Sequence, residues 1–275
     1  MAVTLGAGTT NNINRSTANS FFVNGVQLVT GWWYPTTLTA GRCYWGSGSV
    51  TKLAVGTTTS QLVLTIDQAT TDSVYTIAGA GIVVNTWHFI AIAASMTATP
   101  ANSVKCWIGT ENRAPQEFTV TTTTGPSGAP VGSTSQFLGN VNVGSLSFQG
   151  DAEQFEMFLT GNGAVANFAP GVTFGAFTQA ETDALFQRMV RPLYDGTLDL
   201  STLHHEAYES VHIRCNEVNV PNPNVIRNNP SLNPPEVYNV TAGLGATLSA
   251  RRGPRPWATQ GIISERPRVL AGALR

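Results

Sequence analysis

Between about residues 19 and 159, apolar residues recur in short runs, some alternating with polar ones and some continuous. Gly, Asn, Ser and Thr cut these runs apart, which is the punctuation of strands and turns. The pattern predicts strands at 20–35, 42–46, 50–56, 61–67, 73–77, 87–95, 103–109, 117–122, 135–139 and 148–159. No window of helical length in this region carries helical spacing, so parallel βα units are not expected. A two-sheet antiparallel sandwich is the architecture that remains.

One helix stands out over 178–190. Thr178 is placed to cap it, Glu181 follows three residues on as the reciprocal partner, and Phe177 precedes it as a hydrophobic staple. Ala184, Leu185, Phe186 and Met189 supply its apolar stripe. A second, weaker helical pattern runs from about Ser201 to Ser210. Beyond Cys215 the chain reads NEVNVPNPNVIRNNPSLNPPEVYNV, then a Gly-rich link, then RRGPRPWATQGIISERPRVLAGALR. Prolines hold φ near −65° and remove backbone donors, so this segment is extended and builds no core of its own. The expected organisation is an N-terminal extension over 1–18, a sandwich over 19–214 and an extended Pro/Arg-rich arm over 215–275. Such an arm needs a surface to lie on, either another subunit or its own domain.

Charge sharpens that picture. Charged residues make up only 11% of the 275 residues, so Thr, Ser, Asn and Gly carry the polar surface. The formal net charge of −1 conceals an asymmetry: from Arg251 onward six Arg face one Glu, giving +5, and residues 1–250 hold the remaining nine basic and fifteen acidic side chains, giving −6. A basic tail on an acidic body points to an acidic partner surface; nucleic acid is not the expected partner. The first residues, MAVTLGAGTTNNINRS, show no basic region followed by an apolar run, and no stretch is long and apolar enough to span a membrane, so synthesis in a cytoplasm is expected. Three widely spaced cysteines, Cys43, Cys106 and Cys215, fit reduced, packed thiols better than a disulfide framework.

Four stretches, in order, resemble landmarks of laminin-G-like, concanavalin-type jelly rolls. Val29-Thr30-Gly31-Trp32-Trp33-Tyr34-Pro35 resembles the early "hydrophobic-x-x-W-x-x-P" strand, and Asn85 to Ile92 (NTWHFIAI) the "W-H-hydrophobic-A" strand. Val104 to Gly109 (VKCWIG) sits where that family has an aromatic strand ending in a Gly turn. Gly150 to Phe158 matches its "G-x-I-D-E-V-R-I-Y" strand, and Phe177 to Leu185 stands in place of its closing helix. The resemblance covers about 19–190 and implies the jelly-roll sandwich; in phages, domains of this kind serve as display or adhesion modules.

The stretch FQGDAEQFEMFL, 148–159, places three carboxylates on one predicted strand. Its apolar positions change phase between Ala152 and Phe155, and a single bulge there would return Asp151, Glu153 and Glu156 to a common face. Laminarinase-type β-glucanases, which are similar jelly rolls, use E-x-D-x-x-E on a bulged strand, with the outer glutamates about 5–5.5 Å apart as nucleophile and acid/base. Here the order is D-A-E-Q-F-E, which shifts the carboxylates out of that geometry, so no enzyme is expected. His204-His205-Glu206 with His212 and Cys215 lacks zinc-site spacing. Calcium, held at the sandwich rim in some relatives, would find only Asp67, Asp72 and Asn140 as candidates; no metal and no cofactor is expected. The pairs Trp32-Trp33 and Tyr44-Trp45 could stack on sugars, but strand neighbours point to opposite faces, which places one of each pair in the core. Trp87 and Trp107 are expected in the core as well.

These features lead to an expected non-enzymatic virion protein, a phage capsid decoration or cement subunit that binds the major capsid protein or other virion subunits. Arg251, Arg252, Arg255, Trp257, Arg266 and Arg268 of the arm are its expected contacts, Trp257 being an isolated aromatic suited to a partner's pocket. A homo-oligomer, in the form of a trimer, fits this role. A carbohydrate-binding adhesion module of a tail or fibre, with a surface glycan as partner, is the alternative, and a glycoside hydrolase comes last.

Overall fold

The computed structural model describes residues 3–5, 13–16, 26–48, 50–95, 104–132, 135–140, 146–159, 177–197, 209–213, 225–227, 237–240 and 246–248. They form an all-β, two-sheet jelly-roll sandwich closed on one face by a helix. One sheet runs β10 (Arg113–Phe118), β9 (Val104–Thr110), β8 (His88–Ser95), β3 (Val26–Pro35), β14 (Gly150–Leu159), β1 (Val3–Leu5) and β18 (Ala246–Leu248), with β15 (Glu209–Ile213) also on β14. The other runs β11 (Val120–Thr124), β7 (Ser73–Ile77), β6 (Leu62–Ile66), β5 (Thr51–Val55), β4 (Arg42–Ser47), β12 (Ser135–Leu138), β2 (Ile13–Ser16), β17 (Val237–Val240) and β16 (Val225–Arg227), with β13 (Leu146–Ser147) parallel to β4.

Alternation along β3 shows why two cores exist. Val29 and Trp33 point between the sheets, where they meet Tyr44, Leu53, Leu64, Tyr75, Ile90, Ile92, Phe148 and Phe155. Leu28 and Trp32 point the other way, onto a second cluster of Phe89, Trp107 and Phe158. That outer face is covered by α1 (Gln179–Leu185), a π-helical turn over Phe186–Val190, and α2 (Arg191–Asp195), whose Leu185, Met189, Val190, Leu193 and Tyr194 complete the cluster. Every residue of β8 is buried as a consequence, because this central strand is covered on both faces. Each large side chain removed from water in this way contributes about 2–3 kcal/mol.

The helix begins as the sequence predicts. Thr178 accepts from the Glu181 N–H at 3.2 Å, and the Glu181 carboxylate accepts from the Thr178 N–H at 2.7 Å. It runs on to Asp195 rather than ending at 190, stopping where Gly196 takes φ +68°.

Two expectations are corrected. The single strand expected over 117–122 is two strands: the chain leaves β10 at Phe118, passes Thr119 and joins the opposite sheet as β11, a crossing that local alternation does not signal. Of the helical pattern expected over 201–210, Glu209 and Ser210 belong instead to β15, which pairs with the edge of β14, and 201–208 lie outside the described residues. Within 1–18, β1 and β2 are inserted in the two sheets, and the described parts of 215–275 are strands β16, β17 and β18 on the same sheets.

Candidate functional site

The bulge predicted on the acidic strand is present. β14 pairs with β3 through Glu153 opposite Trp32 and Glu156 opposite Thr30, so two residues of β14, Gln154 and Phe155, face one of β3, Gly31. Gln154, the extra residue, has φ +51°. Asp151, Glu153 and Glu156 therefore share the outer face of their sheet with Tyr34, Trp32 and Thr30. All three acids are buried. Glu156 is also the register partner of His212 on β15.

Their surroundings are polar as well as apolar. The Thr30 hydroxyl, the Trp32 indole N–H and the Gln154 amide nitrogen are buried on or beside this face, with no hydrogen-bond partner among the described residues. Three donors next to three acids make a polar seam beneath an aromatic layer, in which Trp32 lies 5.4 Å from Phe89 and 5.3 Å from Tyr194, ring centre to ring centre. A glycosidase needs carboxyls that reach a substrate held in a cleft. These are enclosed, and their chemistry is that of an interior polar cluster.

A second pair lies at the rim. Asp67 and Asp72 flank the turn between β6 and β7, and their side chains share a hydrogen bond. Burial first, and then the charge and hydrogen bond of Asp72, push the Asp67 carboxyl above its ordinary value. The turn is braced by the Gln68 N–H donating to Asp72 Oδ1 at 3.2 Å, and by the Val131 N–H donating to the Asp67 carbonyl at 3.0 Å. Asn140, the third candidate for calcium, is buried elsewhere and donates to Ser147 Oγ at 3.0 Å. Among the described residues, no group of three or more His, Cys, Asp or Glu is placed to hold a metal ion.

The aromatic pairs are deeper than alternation implies. Trp33 is in the inter-sheet core and Trp32 under the helix, so both are buried. Tyr44 and Trp45 both join the inter-sheet core, because the β4–β5 register shifts between Cys43 and Trp45. Trp87 and Trp107 are core, as expected. Cys43 and Cys106 are buried free thiols, and burial pushes the Cys43 thiol up to about 12, which leaves it inert. His204, His205, Glu206, Cys215 and the expected arm contacts Arg251, Arg252, Arg255, Trp257, Arg266 and Arg268 lie outside the described residues.

The sequence reading passed over Thr30 and Gln154 in the polar seam, and gave His88 no role beyond a strand landmark. His88 is buried, and its Nε2 meets the backbone of Val83. Its adjacency to Trp87 at the start of an apolar strand was the one available signal.

No family model matches the chain, and no curated protein matches it. Solved structures of similar shape include a Bacteroides ovatus protein described as carbohydrate binding (14% identity, TM-score 0.48, 93% of this chain covered). Others are domains LG4-5 of the mouse laminin alpha1 chain (10%, 0.36, 57%) and the enzymatically active domain of bacteriophage CBA120 tailspike protein 2 (14%, 0.43, 63%). The chain spans 63%, 40% and 28% of the length of these three. Likenesses at this level concern overall shape and carry nothing about activity.

Proposed function

We propose that this chain is a non-enzymatic structural subunit of a virus particle, of the decoration or cement kind, whose basic C-terminal segment binds neighbouring subunits. The observation that carries the reading is the placement of the C-terminal strands. β18 and β16 are the last strands of their sheets on one side of the sandwich, so in sequence the +5 segment from Arg251 onward starts three residues after the end of an edge strand on a body of −6. A basic segment next to an edge can add main-chain hydrogen bonds and arginine contacts on an acidic neighbour. The enclosure of the β14 carboxylates supports a scaffold role for the sandwich.

The test is co-sedimentation of the purified protein with particles that lack it, comparing the full chain with a chain ended at Ala250, which keeps β18. Loss of binding by the shortened chain with its melting unchanged is the expected result. Equal binding by both would overturn the reading.

A carbohydrate-binding adhesion module is the second reading, favoured by the Asp67–Asp72 pair, since adjacent rim carboxylates accept hydrogen bonds from vicinal hydroxyls. Glycan-array binding that survives the same truncation and disappears in Asp67→Asn would select it.

A further inference from the structure

We propose that His88 is an acid-sensitive latch on the rim loop 78–87: protonation exchanges the hydrogen bond that Nε2 accepts from the Val83 N–H for one that it donates to the Val83 carbonyl, and resets the tip of the loop.

His88 opens β8 beside Trp33 of β3 and Thr110 of β9, its register partners. It is 1% exposed. The Val83 N–H lies 3.1 Å from Nε2 and the Val83 carbonyl oxygen 3.0 Å from the same atom. One ring nitrogen cannot serve both at once. With the proton on Nδ1, Nε2 accepts from the N–H; with both nitrogens protonated, Nε2 can only donate, and the carbonyl is the one acceptor it faces. The Val83 N–H then loses its partner. Among the described residues the buried Nδ1 has no hydrogen-bond partner, so they offer the ring no second anchor through the exchange.

The rest of the loop confines the change to its tip. The Ala80 N–H donates to the Ser60 carbonyl at 2.7 Å and the Asn85 N–H to the Pro35 carbonyl at 2.8 Å, and neither acceptor titrates. Between these tethers lie Gly81 at φ +64°, Ile82, Val83 and Val84. Val83 and Val84 are 52% and 42% exposed, which makes the tip apolar. Protonation therefore acts at an exposed apolar pair of residues.

The charges around the ring set the direction. The loop carries no ionisable side chain from Ala78 to Trp87, β3 presents Trp33 and β9 presents Thr110, and the charge that acts on His88 is the positive one of Arg113 on the β9–β10 hairpin. Burial first, and Arg113 with it, hold the imidazole below its ordinary value of 6.5, against a smaller opposing pull from the Val83 hydrogen bond. With the neutral ring protonated on Nδ1, the latch is closed at neutral pH and opens only as pH falls below the ordinary imidazole range.

Amide hydrogen exchange by NMR on the full chain, compared as protection factors at about pH 8 and about pH 5, reads this directly. Val83 is expected to lose about tenfold or more in protection while Ala80 and Asn85 keep theirs, with a midpoint equal to that of the His88 ring nitrogens. His88→Gln retains an acceptor that does not protonate in this range, and in it Val83 protection should be independent of pH. The proposal is overturned if Val83 stays protected at low pH, if all three amides loosen together, or if the loss persists in His88→Gln. Should that variant not fold, a difference between the Val83 and ring midpoints in the unaltered protein overturns it equally.

Discussion

Gly150 is the residue on which the close pairing of β3 and β14 within their sheet depends. Its φ is +141°, and a Cβ placed there would lie 1.9 Å from the Tyr34 carbonyl oxygen, so the strands β3 and β14 approach each other only because the side chain is missing. Gly150→Ala should cost about 3 kcal/mol, read as a fall in the denaturation midpoint with an unchanged slope. Asp67 acts in the opposite sense. Its folded-state pKa is raised above 3.8, so the folded protein holds a proton that the unfolded chain releases. The resulting stabilisation is fully present below 3.8 and is lost as pH rises through the folded value. Asp67→Asn should therefore stabilise the protein at neutral pH and flatten its stability profile above that point. An unchanged profile in thermal melts across pH would show that the pair does not couple to folding.

At the scale of elements, the bulge in β14 and the helix over the outer face act together. Without the extra residue at Gln154, either Ala152 or the Phe155, Met157 pair would turn away from the inter-sheet core, since a one-residue slip reverses every side chain. The helix then converts what would be an exposed aromatic face into a second core. Its start rests on the Thr178–Glu181 capping box and its end on the Tyr194 hydroxyl, which donates to the Thr110 carbonyl at 2.7 Å. Thr178→Ala should lower stability by about 1 kcal/mol. Thr178→Ser, which keeps the capping oxygen, should recover most of it in the same denaturation assay. Failure of serine to rescue would mean that the threonine acts through packing.

For the whole molecule, the arrangement of termini matters most. N-terminal strands β1 and β2 lie inside the sheets, and the C-terminal strands β18 and β17 pair outside them. The described strands from the two ends of the chain thus build one side of the sandwich. If that segment binds an acidic neighbour, its affinity should fall steeply as salt rises from about 0.05 M to about 0.5 M, because the Debye length shrinks severalfold over that range. Replacing Arg251, Arg252 and Arg255 together by Glu should abolish both the binding and its salt dependence in the co-sedimentation assay. Binding that is insensitive to salt would argue for an apolar contact in place of an ionic one.

The sequence by itself determined the sandwich, its principal strands, the capped helix and the bulge that gathers three acids, because period-2 alternation, capping residues and a phase change are local signals written in neighbouring positions. Tertiary structure decided the rest. Trp32 is buried only because the helix docks over it, and Tyr44 and Trp45 share a core only because β4 slips in register against β5. The termini became strands only where distant edges offered hydrogen bonds. His88 met Val83 because the turn between them folds back on the ring. Such contacts depend on what arrives from elsewhere in the chain, and no local pattern encodes the arrival.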